Sequence, residues 1–139
     1  MNFPILSSIT LLPAIGALFI LFSKSEKNKN IINLSLFTSV VNLFLAIFLW
    51  YSFDKSFTGF QFVEEQNWIS GFIKFKFGVD GISILFIVLT AFITPICIIS
   101  CVNSINTRLK EFLIAILVLE TFMIGVFCSL DLVVFYIFF

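Results

Sequence analysis

The sequence contains no histidine and few charged residues. Only 12% of its 139 residues are charged, and eight cations balance eight anions. Without histidine, the chain lacks His-ligated haem, most kinds of zinc site and the Ser–His and Cys–His catalytic pairs. It also lacks a phosphate loop, a nucleotide fingerprint and a basic patch. We therefore expect no metal site and no nucleic-acid partner.

Cysteine is scarce as well, with Cys97, Cys101 and Cys128 as the only three. Cys97 and Cys101 are four residues apart and would share one helix face, so a redox or metal pair is conceivable. No further ligands accompany them at a recognisable spacing, and free cysteines within apolar helices behave as small hydrophobic residues. We interpret all three as packing residues.

Apolar residues are abundant. They make up 60% of the chain, including 21 phenylalanines, and the mean hydropathy is +1.17. A soluble domain of this length could not bury so much apolar surface. The composition predicts an all-α polytopic membrane protein in a lipid bilayer, organised as one membrane domain over residues 1–139.

Long apolar runs mark the membrane spans, because a bilayer core needs about 20 apolar residues in a helix. The run from Phe112 to Phe139 would extend ~40 Å, too far for one crossing. The polar place for a break in it is "CSLD", Cys128–Asp131. The sequence thus predicts four spans and the start of a fifth, at about 5–22, 31–51, 81–102, 112–129 and a truncated 132–139.

The longer segment 52–79 is polar and alternating. In "GFQFVEE" and "FIKFKF", aromatic and aliphatic residues alternate with polar ones, and Gly59 and Gly71 bound these stretches. Period-two alternation between glycines is typical of short strands. We predict a β-hairpin-like segment in an external loop.

Cations in the short loops predict the orientation. Lys24, Lys27 and Lys29 lie between spans one and two, and Arg108 and Lys110 lie between spans three and four. The positive-inside rule places both loops in the cytoplasm. The N-terminus and the hairpin-like segment are therefore expected outside.

Glu120 lies inside the fourth predicted span. Eleven Leu, Ile, Val and Phe residues between Phe112 and Ser129 favour insertion by roughly 5 kcal/mol, against a penalty of about 3 for one central acid. The segment is therefore still expected to insert as a membrane-spanning helix. An acid at this depth either handles protons or is a neutral carboxyl group bonded to a neighbouring helix, so Glu120 is a proton-transfer candidate.

Two further acids lie at predicted helix starts. Asp131 precedes the fifth helix, where it is either an N-cap or a second proton-transfer candidate. Asp80 in "GVDGIS" lies three residues before Ser83 at the start of the third span. We predict Asp80 to be a helix cap.

Two stretches carry a family resemblance, "FGVDGISILFIVLTAFITPI" and "DLVVFYIFF". Together with the short basic loops, they resemble the N-terminal part of the chain M (mitochondrial subunit 4) family of proton-translocating NADH:quinone oxidoreductase, respiratory complex I. The likeness covers essentially the whole chain. In that family a key glutamate directly follows the "FYIFF" element, so the resemblance implies an N-terminal fragment.

The resemblance also implies a function. The family's subunit conducts protons, coupled to electron transfer from NADH to quinone, beside other membrane-arm subunits. The chain would bind no cofactor itself, since NADH, FMN, iron–sulfur clusters and quinone belong mainly to other chains, and alone it is expected to be inactive. The expected location is the bacterial cell (inner) membrane rather than the mitochondrial inner membrane.

Three alternatives remain open, and the first two share the family's helix plan. A subunit of a related cation/proton antiporter and a subunit of a membrane-bound hydrogenase are two of them. The third is a small structural protein with four spans, which would need no fifth helix.

Overall fold

The computed structural model describes residues 4–23, 28–69, 73–102, 104–105 and 107–139. Within these ranges the chain forms helices joined by one small antiparallel sheet. Four of the helices are long and apolar enough to cross a membrane, which confirms the predicted fold class. In chain order the elements are α1 (Ile5–Phe22), α2 (Asn28–Tyr51), β1 (Gln61–Ile69), β2 (Ile73–Val79), α3 (Gly81–Val102), α4 (Leu109–Cys128) and α5 (Leu132–Phe138).

The helix bounds follow the hydropathy pattern, with polar extensions. α1 and α3 begin and end where the apolar runs do. α2 begins at Asn28 rather than near residue 31, and α4 covers Leu109–Cys128 rather than 112–129. Hydropathy marks only the part of a helix that suits hydrocarbon, whereas helical hydrogen bonding continues into the polar interface. The starts of α2 and α4 therefore differ from the predicted span starts by one helical turn or less.

The predicted hairpin is present as β1 paired antiparallel with β2. The register contains a bulge, because Gln61 pairs with Val79 and Glu64 pairs with Phe77. Two residues of β1 thus face the single Gly78. Phe62, in the bulge, has a left-handed φ of 54°. A bulge bends its strand and redirects the side chains that follow, and Glu64 comes directly after it.

The connection between α4 and α5 extends this sheet. Leu130 N–H donates to the Lys76 carbonyl at 3.0 Å, and Ser129 forms an isolated bridge with Phe77. A side chain at Gly78 would meet the Leu130 side chain, since a Cβ there would lie 2.6 Å from Leu130 Cδ1. Glycine at this position lets the connection approach the strand.

The four long helices run up and down, so the bundle has two different ends. The hairpin, the start of α1 and the start of α3 lie at one end, which we call the hairpin side. α2 and α4 begin at the other end, the basic side, where Lys29, Arg108 and Lys110 lie. Outward faces expose large apolar side chains such as Phe37 and Phe44, each 67% exposed. Such faces suit lipid rather than water.

Two clusters of buried apolar residues fill the interior, one toward each end. The hairpin-side cluster packs α1, α2, α3, α4 and α5 against β2, and its buried members are Leu6, Ile9, Ala46, Leu49, Phe77, Val79, Ile84, Ile87, Ala91, Ile124, Cys128 and Val134. The basic-side cluster packs α1 to α4, and its buried members are Ala17, Ile20, Ile31, Ile98, Leu109, Leu113 and Leu117.

Candidate functional site

Glu120 lies near the middle of α4 and is completely buried. Its Oε1 accepts a hydrogen bond of 2.8 Å from Nδ2 of Asn42, which is equally buried near the middle of α2. The neighbouring Thr121 hydroxyl donates instead to the Leu117 carbonyl on its own helix. Asn42 is thus the side-chain partner that the structure provides for Glu120.

The pair leaves hydrogen-bonding capacity unused. Within the part of the chain that the structure describes, Glu120 Oε2 and Asn42 Oδ1 are buried and have no hydrogen-bond partner. Buried polar atoms are normally bonded to protein or water, and leaving one unbonded costs about 1–3 kcal/mol. An ionised Glu120 offers two acceptor oxygens, and a protonated one also offers a donor. The free oxygen is thus where a proton can be held or exchanged.

Asp131 lies apart from this pair. Its Oδ1 accepts a hydrogen bond of 2.7 Å from Val133 N–H, and Asp131 is the N-cap of α5. Glu120 precedes the end of α4 at Cys128 by two helical turns, or ~12 Å of axial rise. The structure therefore does not bring the two sequence-predicted candidates together.

Asp80 lies directly before α3. Its Oδ1 accepts a hydrogen bond of 2.7 Å from Ser83 N–H, which is N-cap geometry. Hydrogen bonds from the Ser83 backbone and side chain hold the pKa of the Asp80 carboxyl below its ordinary value. This hydrogen bond pairs one of the N–H groups that have no partner within the helix at its start.

A third acid, Glu64 of β1, contacts the start of α1, a contact that sequence reasoning missed. Its carboxylate accepts hydrogen bonds from Leu6 N–H at 2.8 Å and from Ser7 N–H at 3.0 Å. The Ser7 hydroxyl also donates to it. The N-cap residue Pro4 makes no side-chain cap of its own, and this missing cap is the one signal that the sequence offered.

The other end of α1 is held by a cation. Lys110 Nζ donates to the carbonyls of Leu21 at 3.1 Å and Ser23 at 2.8 Å. Acids favour helix N-termini and cations favour C-termini, where they complement the helix dipole. Glu64 and Lys110 thereby fix both ends of α1 from distant parts of the chain, and α1 packs against both α2 and α4, which carry the Asn42–Glu120 pair.

Candidate metal ligands do not converge in the described ranges. No group of three or more His, Cys, Asp or Glu residues there could hold a metal ion. Cys97 is an exposed free thiol, Cys101 is half-buried and Cys128 is buried in the hairpin-side cluster. The Asn42–Glu120 pair is therefore the candidate site.

A family model and several individual relatives all connect this chain with the same protein family. Residues 6–126 match the model of the family described as NADH-ubiquinone oxidoreductase chain 4, amino terminus. NADH-quinone oxidoreductase subunit M of Rhodobacter capsulatus is 45% identical, over 97% of this chain and 27% of that protein. NADH-ubiquinone oxidoreductase chain 4 of Marchantia polymorpha is 42% identical, over 96% of this chain and 27% of that protein.

A further relative gives the same result. NADH-quinone oxidoreductase subunit M of Rickettsia conorii is 39% identical, over 100% of this chain and 29% of that protein. The chain thus spans less than a third of the length of these relatives. The family match nevertheless covers most of the chain, so the chain belongs to the family of NADH-ubiquinone oxidoreductase chain 4 and NADH-quinone oxidoreductase subunit M.

Proposed function

We propose that this chain forms the N-terminal part of a proton-translocating membrane-arm subunit of NADH:quinone oxidoreductase, respiratory complex I. The observation that carries the proposal is Glu120, a fully buried carboxyl at mid-span in a chain of this family. Ionisable groups at such depth usually serve ion or proton pathways. The family match supports this proposal over the antiporter, hydrogenase and small structural alternatives.

In this proposal Glu120 carries the proton and Asn42 positions it. The Asn42 amide holds Oε1 at 2.8 Å, and Oε2, which has no partner among the described residues, gains and loses the proton. For Asp80 and Asp131 we propose capping roles, because each carboxylate already accepts a hydrogen bond from the first turn of a helix. Both caps then fix the starts of helices that pack against α4.

Electron transfer is assigned to other chains of the complex. An iron–sulfur cluster needs about four thiolate ligands, and this sequence has three cysteines and no histidine. NADH, FMN, iron–sulfur clusters and quinone are therefore expected on partner subunits. We propose that this chain contributes to proton translocation and not to electron transfer.

The proposed location is the bacterial cell (inner) membrane, with the N-terminus outside. The basic side of the bundle carries Lys29, Arg108 and Lys110, and cation-rich short loops stay in the cytoplasm. The hairpin then faces the external compartment. The lipid-suited outer faces of α1 to α4 leave room for the other membrane-arm subunits as well as for the bilayer.

The experiment replaces Glu120 in the full-length subunit within its assembled complex. Glu120→Gln keeps the shape and the bond from Asn42 but cannot release a proton. We expect proton pumping per NADH oxidised to fall more than subunit abundance does. Glu111→Gln is the matched control, since Glu111 lies on the same helix with its side chain 71% exposed. Unchanged pumping at unchanged abundance would return Glu120 to a structural role.

A further inference from the structure

The loop between α2 and β1, residues 52–60, is closed by hydrogen bonds at its base. The side-chain amide of Gln61, the first residue of β1, bonds the Asp54 backbone twice, since Oε1 accepts from the N–H at 3.0 Å and Nε2 donates to the carbonyl at 2.6 Å. Asp54 Oδ1 in turn accepts from the Ser56 N–H at 2.9 Å and from the Ser56 hydroxyl at 2.6 Å. Side chains thus satisfy backbone groups where the chain has left the helix, and these contacts make the loop compact.

The loop presents aromatic side chains on its outer surface. Phe57 and Phe60 are 58% and 56% exposed. A Cβ at Gly59 would lie 2.6 Å from Phe57 Cε1, so the Phe57 ring lies against the Gly59 backbone and outside both buried clusters. The loop therefore pairs polar groups internally while it leaves two phenylalanines uncovered, which is the reverse of the arrangement that water favours.

This loop lies at the level where two membrane spans end. α2 ends at Tyr51, directly before the loop, and α3 begins at Gly81. A cavity of about 320 Å³ separates the loop from the start of α3, and its lining includes Phe57 and Phe60 from the loop and Asp80 and Gly81 from the helix start. Because both helices are long and apolar enough to cross a membrane, their ends mark the boundary of the hydrocarbon core. The loop is therefore placed at the headgroup layer.

The exposed aromatic surface of the loop continues a stripe along α2. Phe37, Phe44, Phe48 and Tyr51 are all more than half exposed, and their spacing places them on one side of the helix. Of the four spans, α2 has the smallest share of buried residues, so this side is the one that the bundle leaves to lipid. Trp50 and Tyr51 end the stripe, and these two residue types are enriched at membrane–water interfaces. The bilayer that covers the stripe thus reaches the loop.

We propose that the loop 52–60 is a lipid anchor, with Phe57 and Phe60 inserted into the headgroup layer of the leaflet on the hairpin side. The internal hydrogen bonds fit this role, because backbone groups that leave water need partners from the protein itself. Lys55 is exposed in the same loop, and a lysine at this depth extends its ammonium group to the polar layer while its stem stays on apolar surface. The anchor holds the end of α2 and the start of α3 at a fixed depth. The inference concerns membrane contact and does not depend on proton transfer by Glu120.

Spin-label accessibility in the assembled complex tests the anchor. Phe57→Cys and Phe60→Cys are made separately in the full-length subunit after its native cysteines are replaced, and each is labelled with a nitroxide. Phe44→Cys supplies the lipid reference, since Phe44 is 67% exposed near the middle of α2. The labelled complexes are reconstituted in liposomes. Relaxation of the nitroxide by oxygen, which is apolar, is then compared with its relaxation by a water-soluble nickel chelate, and the parent complex treated in the same way gives the background.

At both loop positions we expect oxygen to relax the label at least about twofold more than the chelate does, because an apolar medium excludes polar solutes. Stronger relaxation by the chelate would place the loop in water and overturn the anchor. Exclusion of both reagents would show that a neighbouring protein segment covers the loop, and this result would overturn the anchor as well.

Two loop positions keep the test decisive. Subunit abundance reports whether each variant assembles, and the second position gives an independent reading where one substitution impairs assembly. The measurement does not involve pumping. The lipid anchor and the proton-carrier role of Glu120 are therefore refuted by different results.

Discussion

The amide of Asn42 donates a hydrogen bond of 2.8 Å to the carboxyl of Glu120 across 78 residues of sequence. It joins the midpoints of α2 and α4, the two long helices that begin at the basic side. In a bilayer core no water competes for such groups unless the protein admits it. The bond therefore both ties two spans together and fixes the one buried carboxyl among the described residues.

Removing the amide alone should destabilise the bundle. Asn42→Leu leaves the Glu120 carboxyl without its donor, and we expect a loss of about 1–3 kcal/mol in the free energy of unfolding. The double variant Asn42→Leu with Glu120→Leu removes both polar groups and should recover most of the loss. Reversible unfolding of the detergent-solubilised chain measures both. If the double variant is no more stable than Asn42→Leu, the two residues are not coupled as the structure indicates.

Glu64 should contribute more to the stability of the fold than the neighbouring Glu65. Glu64→Ala removes the acceptor for two N–H groups at the start of α1, at an expected cost of about 1–2 kcal/mol. Glu65→Ala is the control, since the Glu65 ion pair with Lys76 is long, at 3.8 Å, and exposed, and such pairs contribute ~0–1 kcal/mol. Thermal unfolding of both variants provides the comparison. Equal effects would mean that the hairpin does not cap α1.

Stability should depend on acid pH through Asp80. Hydrogen bonds from Ser83 hold its pKa below the ordinary value of 3.8 in the folded chain. The stabilisation is therefore fully present above the unfolded pKa and is lost as the pH falls through the lower folded pKa. Asparagine also caps helices but does not titrate here. We expect Asp80→Asn to lose less stability than the parent chain as the pH falls from about 5 to about 2, measured by denaturant unfolding; parallel curves would contradict the assignment.

The orientation can be read with impermeant thiol reagents in the intact membrane. With the native cysteines replaced, Lys27→Cys and Arg108→Cys should be labelled only from the cytoplasmic side and Gln66→Cys only from outside. Lys27 lies outside the described residues, and Arg108 is an exposed residue directly before α4. Labelling of Gln66→Cys from the cytoplasm alone would reverse the orientation proposed above.

The 139-residue chain alone should insert into liposomes but conduct no protons. A transmembrane path needs exchangeable groups spaced through the membrane, and Glu120 is the one buried carboxyl among the described residues. The purified chain is reconstituted around a pH-sensitive dye, and a membrane potential is imposed. We expect proton flux equal to that of empty liposomes. Flux above that level, abolished by Glu120→Gln, would show that these helices suffice.

Hydropathy was enough to predict the fold class, because the thickness of the bilayer dictates the length of an apolar helix. The periodicity of apolar residues and the composition predicted four spans and a hairpin, and the helices α2 and α4 differ from the predicted spans only at their ends. Glu120 also stood out in the sequence, since an acid within an apolar run is energetically expensive. These features depend on neighbouring residues along the chain and on the solvent around them.

The partners of the acids depended on tertiary structure. Helical spacing shows that Ser35, Ser39 and Asn42 share a face, but it does not show which helix that face meets. Glu64, which directly follows a strand bulge, contacts Leu6 across 58 residues of sequence. Hydrogen bonds at this separation arise from how helices pack and which ends meet, and no local pattern encodes either. The sequence by itself therefore identified the buried acid, and only the packing of α2 against α4 decided its partner.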